Sequence, residues 1–255
     1  MLFPISDDDR HLTKRAYVTI TFLVIKVAIF IYQTMNPEFT MGWSVIPQEI
    51  TSGQDLVGPT VLETPGDPEI LNQVAGPVPI YFTLISSMFM HGSWAHLGGN
   101  MLYLWIFGDN VEHRFGHVRF LLFYLISGLA ASAAQIALNT QSIIPNLGAS
   151  GAIAGVLGCY LVLFPRNKVN AVFIVRIVSI PAFVVLGMWG AMQIWQGAGS
   201  MASAGHGGGV AYGAHVGGFV AGLLIGLVVR FMMRDEPPSI LKTQYARDPK
   251  AKRLW

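Results

Sequence analysis

The sequence predicts an all-α membrane protein, a bundle of six transmembrane helices with both termini on the cytoplasmic side. Three observations predict this fold class. Of the 255 residues, 53% are hydrophobic and only 12% are charged, whereas an ordinary soluble domain carries about 25% charged residues. Six apolar runs approach the roughly 20 residues that a helix needs to cross a hydrocarbon core. The basic residues lie almost entirely outside those runs.

The six runs define the predicted spans. They cover residues 16–35, 94–108, 118–138, 150–164, 178–196 and 210–233. The second run is short for a full span, and we expect the apolar stretch 81–90 to extend it. The first run is followed by no small-residue cleavage site, so we expect it to be retained as a helix instead of being removed as a signal peptide.

The positions of Lys and Arg predict the orientation. Thirteen of the sixteen lie before the first run, between the second and third, between the fourth and fifth, or after the sixth, and Arg119 and Arg230 lie at the ends of the third and sixth runs that face the same side, which makes fifteen. Six crossings place all of these on one side, and short cytoplasmic loops are enriched in basic residues. The sixteenth, Lys26, falls inside the first run. Charges inside spans are functional candidates, although snorkelling to the interface or facing a wet crevice is the simpler interpretation.

The remaining segments follow from this division. We expect residues 1–15 to be a cytoplasmic N-terminus, 16–233 a single six-span domain, and 234–255 a disordered cytoplasmic tail. Residues 36–80, acidic and rich in Pro and Gly, should form an irregular external loop, and loops of that length are usually functional. With no transit peptide evident, the plasma membrane of a prokaryote (its inner membrane) is the expected location.

Composition also excludes several classes of function. The net charge of +2 and the absence of a basic block over the predicted spans argue against a nucleic-acid partner. The single cysteine, Cys159, excludes an intramolecular disulfide and a cysteine-based metal cluster. The lipid bilayer is therefore the first expected partner.

Three polar clusters interrupt the apolar sequence, all in the predicted external half of the spans. They are the segments 91–100 (HGSWAHLGGN), 148–151 (GASG) and 214–218 (AHVGG). In the first cluster His96 and Asn100 are four residues apart and share one helix face. Each cluster alone is typical of helix packing. A serine, two histidines and an amide at similar depth on three helices together favour a catalytic site.

Small residues predict which spans are neighbours. Ser150, Ala154 and Gly158 recur every four positions in the fourth span, and positions 214, 218, 222 and 226 of the sixth are also Ala or Gly. Such faces let two helices approach closely inside a membrane. Tight packing of these spans would bring Ser150 toward His215.

This arrangement is suited to acyl transfer. A serine hydroxyl needs an adjacent base, most often histidine, and an oxyanion needs preorganised donors. Ser150 would lie at a helix N-terminus with unused N–H groups, and His96 and Asn100 offer side-chain donors. Asp109 and Glu112 lie roughly 20 Å from His96 along the helix, so we expect a Ser–His dyad unless an acid of the first loop folds inward.

A metal site is the competing interpretation of the histidines. His91, His96, His206 and His215 are possible ligands. No intramembrane carboxylate or thiolate group accompanies them, so we expect no metal and no cofactor.

The order of the motifs resembles the rhomboid family of intramembrane serine proteases over the whole region 16–233. The matching patterns are HxxxxHxxxN at 91–100, GxxVExRxG at 108–116, GASG at 148–151 and AHxGGxxxG at 214–222. The resemblance implies that Ser150 is the nucleophile, His215 the general base, and His96, Asn100 and the Ser150 backbone N–H the oxyanion hole. It further implies a structural motif of His91, Glu112, Arg114, Gly148, Gly151 and Gly218.

One position departs from the family pattern. Family members commonly carry, four positions after the serine, an aromatic residue that stacks on the catalytic histidine, and here that residue is Ala154. Tyr160, Trp94 and Tyr212 are the candidates that could orient His215 instead.

The resemblance implies an endopeptidase that cleaves transmembrane segments of membrane proteins near the outer membrane face. The loop 36–80 would lie laterally and partly in the membrane, and residues 205–209 would form a mobile cap. Substrates should carry a helix-destabilising or small residue near the cleavage site, because an intact helix hides its backbone. Two alternatives stay open: a catalytically silent rhomboid-like binder of membrane clients, and a transporter or histidine-ligated metal or haem protein.

Overall fold

A bundle of long helices forms most of the molecule in the computed structural model, which describes residues 2–9, 12, 15–62, 67–202 and 210–232. The long helices within these ranges are α1 (Tyr17–Met35), α5 (Trp94–Phe115), α6 (His117–Leu138), α7 (Ser150–Leu163), α8 (Ala182–Ala202) and α9 (Tyr212–Met232). Short helices α2 (Pro37–Gly42), α3 (Pro47–Ser52) and α4 (Thr83–Ser86) lie between α1 and α5. In the described part of the chain, α1, α6 and α9 are long and apolar enough to cross a membrane.

Five strands within the described residues correct the expectation of an all-α fold. Strands β1 (Leu2–Ser6), β4 (Lys168–Phe173) and β5 (Arg176–Pro181) form an antiparallel sheet in the order β1-β4-β5, and β2 (Gly58–Leu62) pairs with β3 (Glu69–Gln73). The β4–β5 segment is rich in β-branched residues, which favour strands. The predicted fifth span therefore begins too early at residue 178, and the loop 36–80 is not wholly irregular.

The second predicted span also needs correction. Helix α5 continues past Gly108 to Phe115, where Gly116 ends it with a positive φ of 78°. Upstream, Ser93 caps the helix by accepting a hydrogen bond from the His96 backbone N–H at 3.1 Å. The stretch 81–90 forms α4 and two short 3-10 turns instead of extending α5, since Met90 adopts an extended backbone.

Helix α7 is the centre of the bundle, and its close packing with α9 confirms the prediction from small residues. All of residues 151–160 in α7 are buried. A Cβ placed on Gly218 would lie 2.0 Å from the Gly151 carbonyl oxygen, and one on Gly222 would lie 1.9 Å from that of Gly155. Only glycine permits this close approach of the two backbones. The contact fixes how α7 and α9 are placed along each other, so that their first turns lie side by side.

Glu112 ties α5 to the start of α1. Its carboxylate accepts hydrogen bonds from the backbone N–H groups of Val18 and Thr19 at 2.8 and 2.7 Å and from the Thr19 hydroxyl at 2.7 Å. These donors belong to the first turn of α1, where N–H groups lack helical partners and a negative charge is stabilising.

The N-terminal segment docks at the end of the bundle opposite Ser150. The Asp7 carboxylate accepts hydrogen bonds from the Tyr160 hydroxyl and from Asn110 Nδ2. Burial, followed by the nearby Asp109 carboxylate, raises the pKa of Asp7 to about 8. The residues after Met232, which include the predicted tail 234–255, lie outside the described part of the chain.

Lys26 is fully buried, so the expectation that it snorkels or faces a wet crevice is wrong. Its Nζ lies 4.3 to 4.7 Å from the ring centroids of Phe22, Phe89 and Tyr124. These rings belong to the core around α1 and α6, and Nζ lies within the distance at which a protonated amine is attracted to the faces of aromatic rings.

Candidate active site

Ser150 and His215 meet at the junction of α7 and α9. Ser150 is the first residue of α7 and His215 lies in the first turn of α9. Ser150 Oγ lies 2.7 Å from His215 Nε2, within hydrogen-bond distance. A Cβ on Gly151 would lie 3.5 Å from the Ala214 Cβ, so small residues on both helices allow this contact.

The other ring nitrogen of His215 contacts a residue that sequence reasoning missed. His215 Nδ1 lies 2.7 Å from Oε1 of Gln193, which belongs to α8 and is 6% exposed. A signal for Gln193 exists in the sequence, since it is an amide inside an apolar run and polar groups within spans are functional candidates.

Aromatic rings surround His215, although Ala154 contributes none. The Trp189 ring lies 6.0 Å from the imidazole at 37°, and the Tyr212 ring lies 6.3 Å away at 85°. Of the three residues predicted to orient His215 in place of an aromatic residue at position 154, only Tyr212 lies near the imidazole. Tyr160 contacts Asp7 and Trp94 packs on Phe30, so neither orients the histidine.

His96 and Asn100 face the same space as Ser150. A Cβ placed on Gly148, whose φ is +140°, would lie 3.1 Å from His96 Nε2 and 3.5 Å from Ser150 Oγ. The space between His96 Nε2 and Ser150 Oγ is therefore open only because residue 148 is glycine and has no side chain. The buried Asn100 Nδ2 has no hydrogen-bond partner among the described residues, and Asn100 lines the same cavity as Ser150 and His96.

The residues predicted to form the structural motif lie either close to Ser150 or at the opposite end of the bundle. His91 is buried, and its backbone N–H and C=O are both bonded by the Gln33 side chain at 3.0 and 3.3 Å. Its ring lies 5.3 Å from that of His96. Glu112 and Arg114 lie in the last turns of α5, away from Ser150, and Glu112 acts there as the anchor of α1.

An open cavity of roughly 1710 Å³ reaches this group. Its lining includes His96, Asn100, Ser150, Gln193 and His215. The cavity is large enough to admit an extended peptide segment, since ligand pockets for small molecules usually measure about 300–1,000 Å³. The predicted cap 205–209 lies outside the described residues.

The histidines that the structure places do not converge on one point as metal ligands. In the ranges that the structure describes, no group of three or more His, Cys, Asp or Glu side chains could hold a metal ion. His206 lies outside those ranges. Instead, His215 contacts a hydroxyl and an amide, and His96 borders the space beside Ser150, an arrangement suited to a nucleophile, a base and oxyanion donors.

Comparison with known proteins relates the chain to a protein family. The family model described as Rhomboid domain matches residues 80–231. The chain is 38% identical to "Rhomboid protein 1, mitochondrial" of Saccharomyces cerevisiae over 143 residues, which cover 52% of this chain and 41% of that protein. It is 39% identical over 88 residues to "Rhomboid protease GluP" of Bacillus subtilis, covering 34% of this chain and 17% of the relative.

A chloroplast protein is also similar. "Rhomboid-like protein 11, chloroplastic" of Arabidopsis thaliana is 32% identical over 77 residues, covering 30% of this chain and 27% of that protein. The chain thus spans less than half the length of each of these three relatives.

Proposed function

Because the chain belongs to the rhomboid family, we propose that it is an intramembrane serine endopeptidase acting through a Ser150–His215 dyad. The observation that carries this proposal is the 2.7 Å contact between Ser150 Oγ and His215 Nε2 beside an open cavity. Hydrogen-bond reach between a nucleophile and its base is the geometric requirement for nucleophilic catalysis.

In the first half of the reaction, Ser150 Oγ attacks the carbonyl carbon of the scissile peptide bond while its proton passes to His215 Nε2. The C–N bond then breaks, and the imidazolium returns the proton to the leaving amine. The product is an acyl ester on Ser150. In the second half, a water molecule gives a proton to His215 and its oxygen bonds to the ester carbonyl carbon. The bond between that carbon and Ser150 Oγ then breaks, the carboxyl product leaves, and His215 returns the proton to Oγ.

The negative charge that forms on the carbonyl oxygen requires donors that are already in place. We propose that the space beside Gly148 receives this oxygen, with donors from His96, Asn100 and the Ser150 backbone N–H. The unpartnered Asn100 Nδ2 supports the assignment, because a buried donor without a partner is costly unless a ligand satisfies it. Each such donor typically contributes about 3–4 kcal/mol to the barrier reduction.

The membrane arrangement is part of the proposal. We propose six spans formed by α1 and α5–α9, with cytoplasmic termini and Ser150 toward the outer face. The substrates would be membrane proteins with a helix-destabilising segment, since a scissile bond must leave its helix to reach Ser150. We propose the plasma membrane of a prokaryote as the location. Fractionation of native cells, with the protein absent from that membrane, would contradict this placement.

Cleavage of a transmembrane reporter tests the activity. Purified protein in detergent or nanodiscs should cleave the reporter and react with a serine-directed fluorophosphonate. Ser150→Ala should abolish both signals, and His215→Ala should reduce both to background. Ser52→Ala is the matched control, because Ser52 is an exposed hydroxyl at the end of α3. Undiminished cleavage by both active-site variants would overturn the proposal, and absence of cleavage and labelling in the unaltered protein would favour a client-binding role.

A further inference from the structure

We propose that Gln193 is a positioning residue for His215, holding the imidazole in the tautomer and orientation that make it a base toward Ser150. The inference rests on the proposed function and adds a third residue to the dyad. It also accounts for how this chain orients its histidine with alanine at position 154.

The first support is the geometry of the hydrogen-bond chain. Gln193 Oε1, the His215 ring and Ser150 Oγ are linked by two contacts of 2.7 Å, one at each ring nitrogen. Two contacts on opposite sides of the ring fix both its position and its rotation. A contact with Ser150 alone would hold only one of the two ring nitrogens.

The second support is the chemistry of the amide. A carboxamide oxygen only accepts hydrogen bonds, so the proton of neutral His215 must sit on Nδ1. Nε2 is then unprotonated and accepts the Ser150 proton, as a general base requires. The opposite tautomer would carry its proton on Nε2 and could not accept one from Ser150 there. An ordering group on the far side of a catalytic histidine has this effect in serine hydrolases generally.

The third support is the burial of Gln193 and the environment of α8. The side chain is 6% exposed, and a buried amide left without a partner costs free energy. Trp189, one turn earlier on α8, places its ring 6.0 Å from the imidazole and packs at 5.7 Å on Phe219 of α9. Thus α8 supplies both the hydrogen bond and a ring beside the histidine. A neutral amide orders His215 without the desolvation cost of a buried carboxylate.

Two substitutions separate a positioning role from a merely structural one. Gln193→Leu keeps a side chain of similar size but removes the acceptor oxygen. The proton of neutral His215 is then no longer held on Nδ1. We expect kcat for reporter cleavage to fall about 100-fold with KM changed less than threefold, because the oxygen that is removed contacts His215 and acts on the chemical step.

Gln193→Glu keeps the acceptor oxygen and adds a negative charge next to the imidazole. A neighbouring carboxylate stabilises the imidazolium, so the variant should retain activity while the acidic limb of its kcat/KM profile moves about one pH unit higher. Gln141→Glu is the matched control, since Gln141 is exposed in the loop after α6. It adds the same charge without contact to His215, and its pH profile should coincide with that of the unaltered protein.

The outcomes are distinct from those that test the proposed function. Reporter cleavage by the unaltered protein, abolished by Ser150→Ala, establishes the protease independently of Gln193. Given that cleavage, wild-type kcat in Gln193→Leu would overturn the positioning role. A Gln193→Glu profile that coincides with that of Gln141→Glu would also overturn it. Thermal unfolding within about 3 °C of wild type should accompany Gln193→Leu, and a larger shift would assign Gln193 to stability instead.

Discussion

Replacement of Gly222 by alanine should separate α7 from α9 and thereby disable the site from two turns away. The new Cβ would lie 1.9, 2.6 and 2.8 Å from the carbonyl oxygen, carbonyl carbon and Cα of Gly155. All three atoms are backbone, so no rotamer change relieves the overlap. Real Cβ contacts essentially never fall below 3.0 Å, so the helices must part by about 1 Å.

The cost of that separation affects stability and activity together. Overpacking of this kind costs about 3 kcal/mol, equivalent to a fall of about 6–12 °C in Tm. Ser150 Oγ and His215 Nε2, now 2.7 Å apart, would leave hydrogen-bond range, and a misplacement of about 1 Å at a catalytic group lowers the rate about 100-fold.

The assay combines thermal unfolding in detergent with reporter cleavage, using a second glycine as control. A Cβ placed on Gly187 of α8 would meet no neighbouring atom within 4 Å, so Gly187→Ala should keep full activity and gain up to about 1 kcal/mol from helix propensity. If Gly222→Ala unfolds within about 2 °C of wild type and cleaves at the wild-type rate, the packing argument is refuted.

Three further changes test the anchors of the fold. Glu112→Ala removes the carboxylate that bonds the first turn of α1 and should lower Tm by about 4–8 °C, a loss of about 2 kcal/mol; an unchanged Tm would contradict this anchor. Because the pKa of Asp7 rises from 3.8 to about 8 on folding, the folded state binds the proton more tightly, and stability falls as pH rises from about 4 to 8. Asp7→Asn does not titrate, so its Tm relative to wild type should increase between pH 5 and pH 8.5, and a difference independent of pH would refute the assignment. Lys26→Met replaces a buried ammonium by an apolar side chain of similar length and should raise Tm by a few degrees, whereas a lower Tm would show that the three aromatic rings stabilise the charge.

The sequence carried most of the information about the proposed nucleophile and base, Ser150 and His215. Periodic small residues predicted that the helices of Ser150 and His215 pack together, and the 2.7 Å contact between these side chains agrees with that prediction. The helical spacing of His96 and Asn100 likewise predicted that they share a face, and both line the cavity that Ser150 lines. These predictions succeed because a helix has a fixed period, so spacing along the chain determines which residues lie on one face.

The strands and the limits of the helices were harder to predict. Apolar content is similar in a membrane span and in the β4–β5 hairpin, so the run starting at 178 did not distinguish the end of β5 from the start of α8 at Ala182. The partner of β4 on its other side is β1, about 165 residues earlier in the chain. Pairing over that separation leaves no local signal in either segment.

By itself the sequence determined the family, the helical character of the chain and the residues we propose as nucleophile and base, because these depend on residue type and on spacing within single helices. Only the tertiary structure showed which residues contact His215 on the side of the ring that faces away from Ser150. Gln193 and Trp189 belong to a helix that no motif connects to the histidine, and they contact it only because α8 packs beside α9. Contact between side chains on different helices depends on how those helices are placed, and spacing along one chain segment does not encode it.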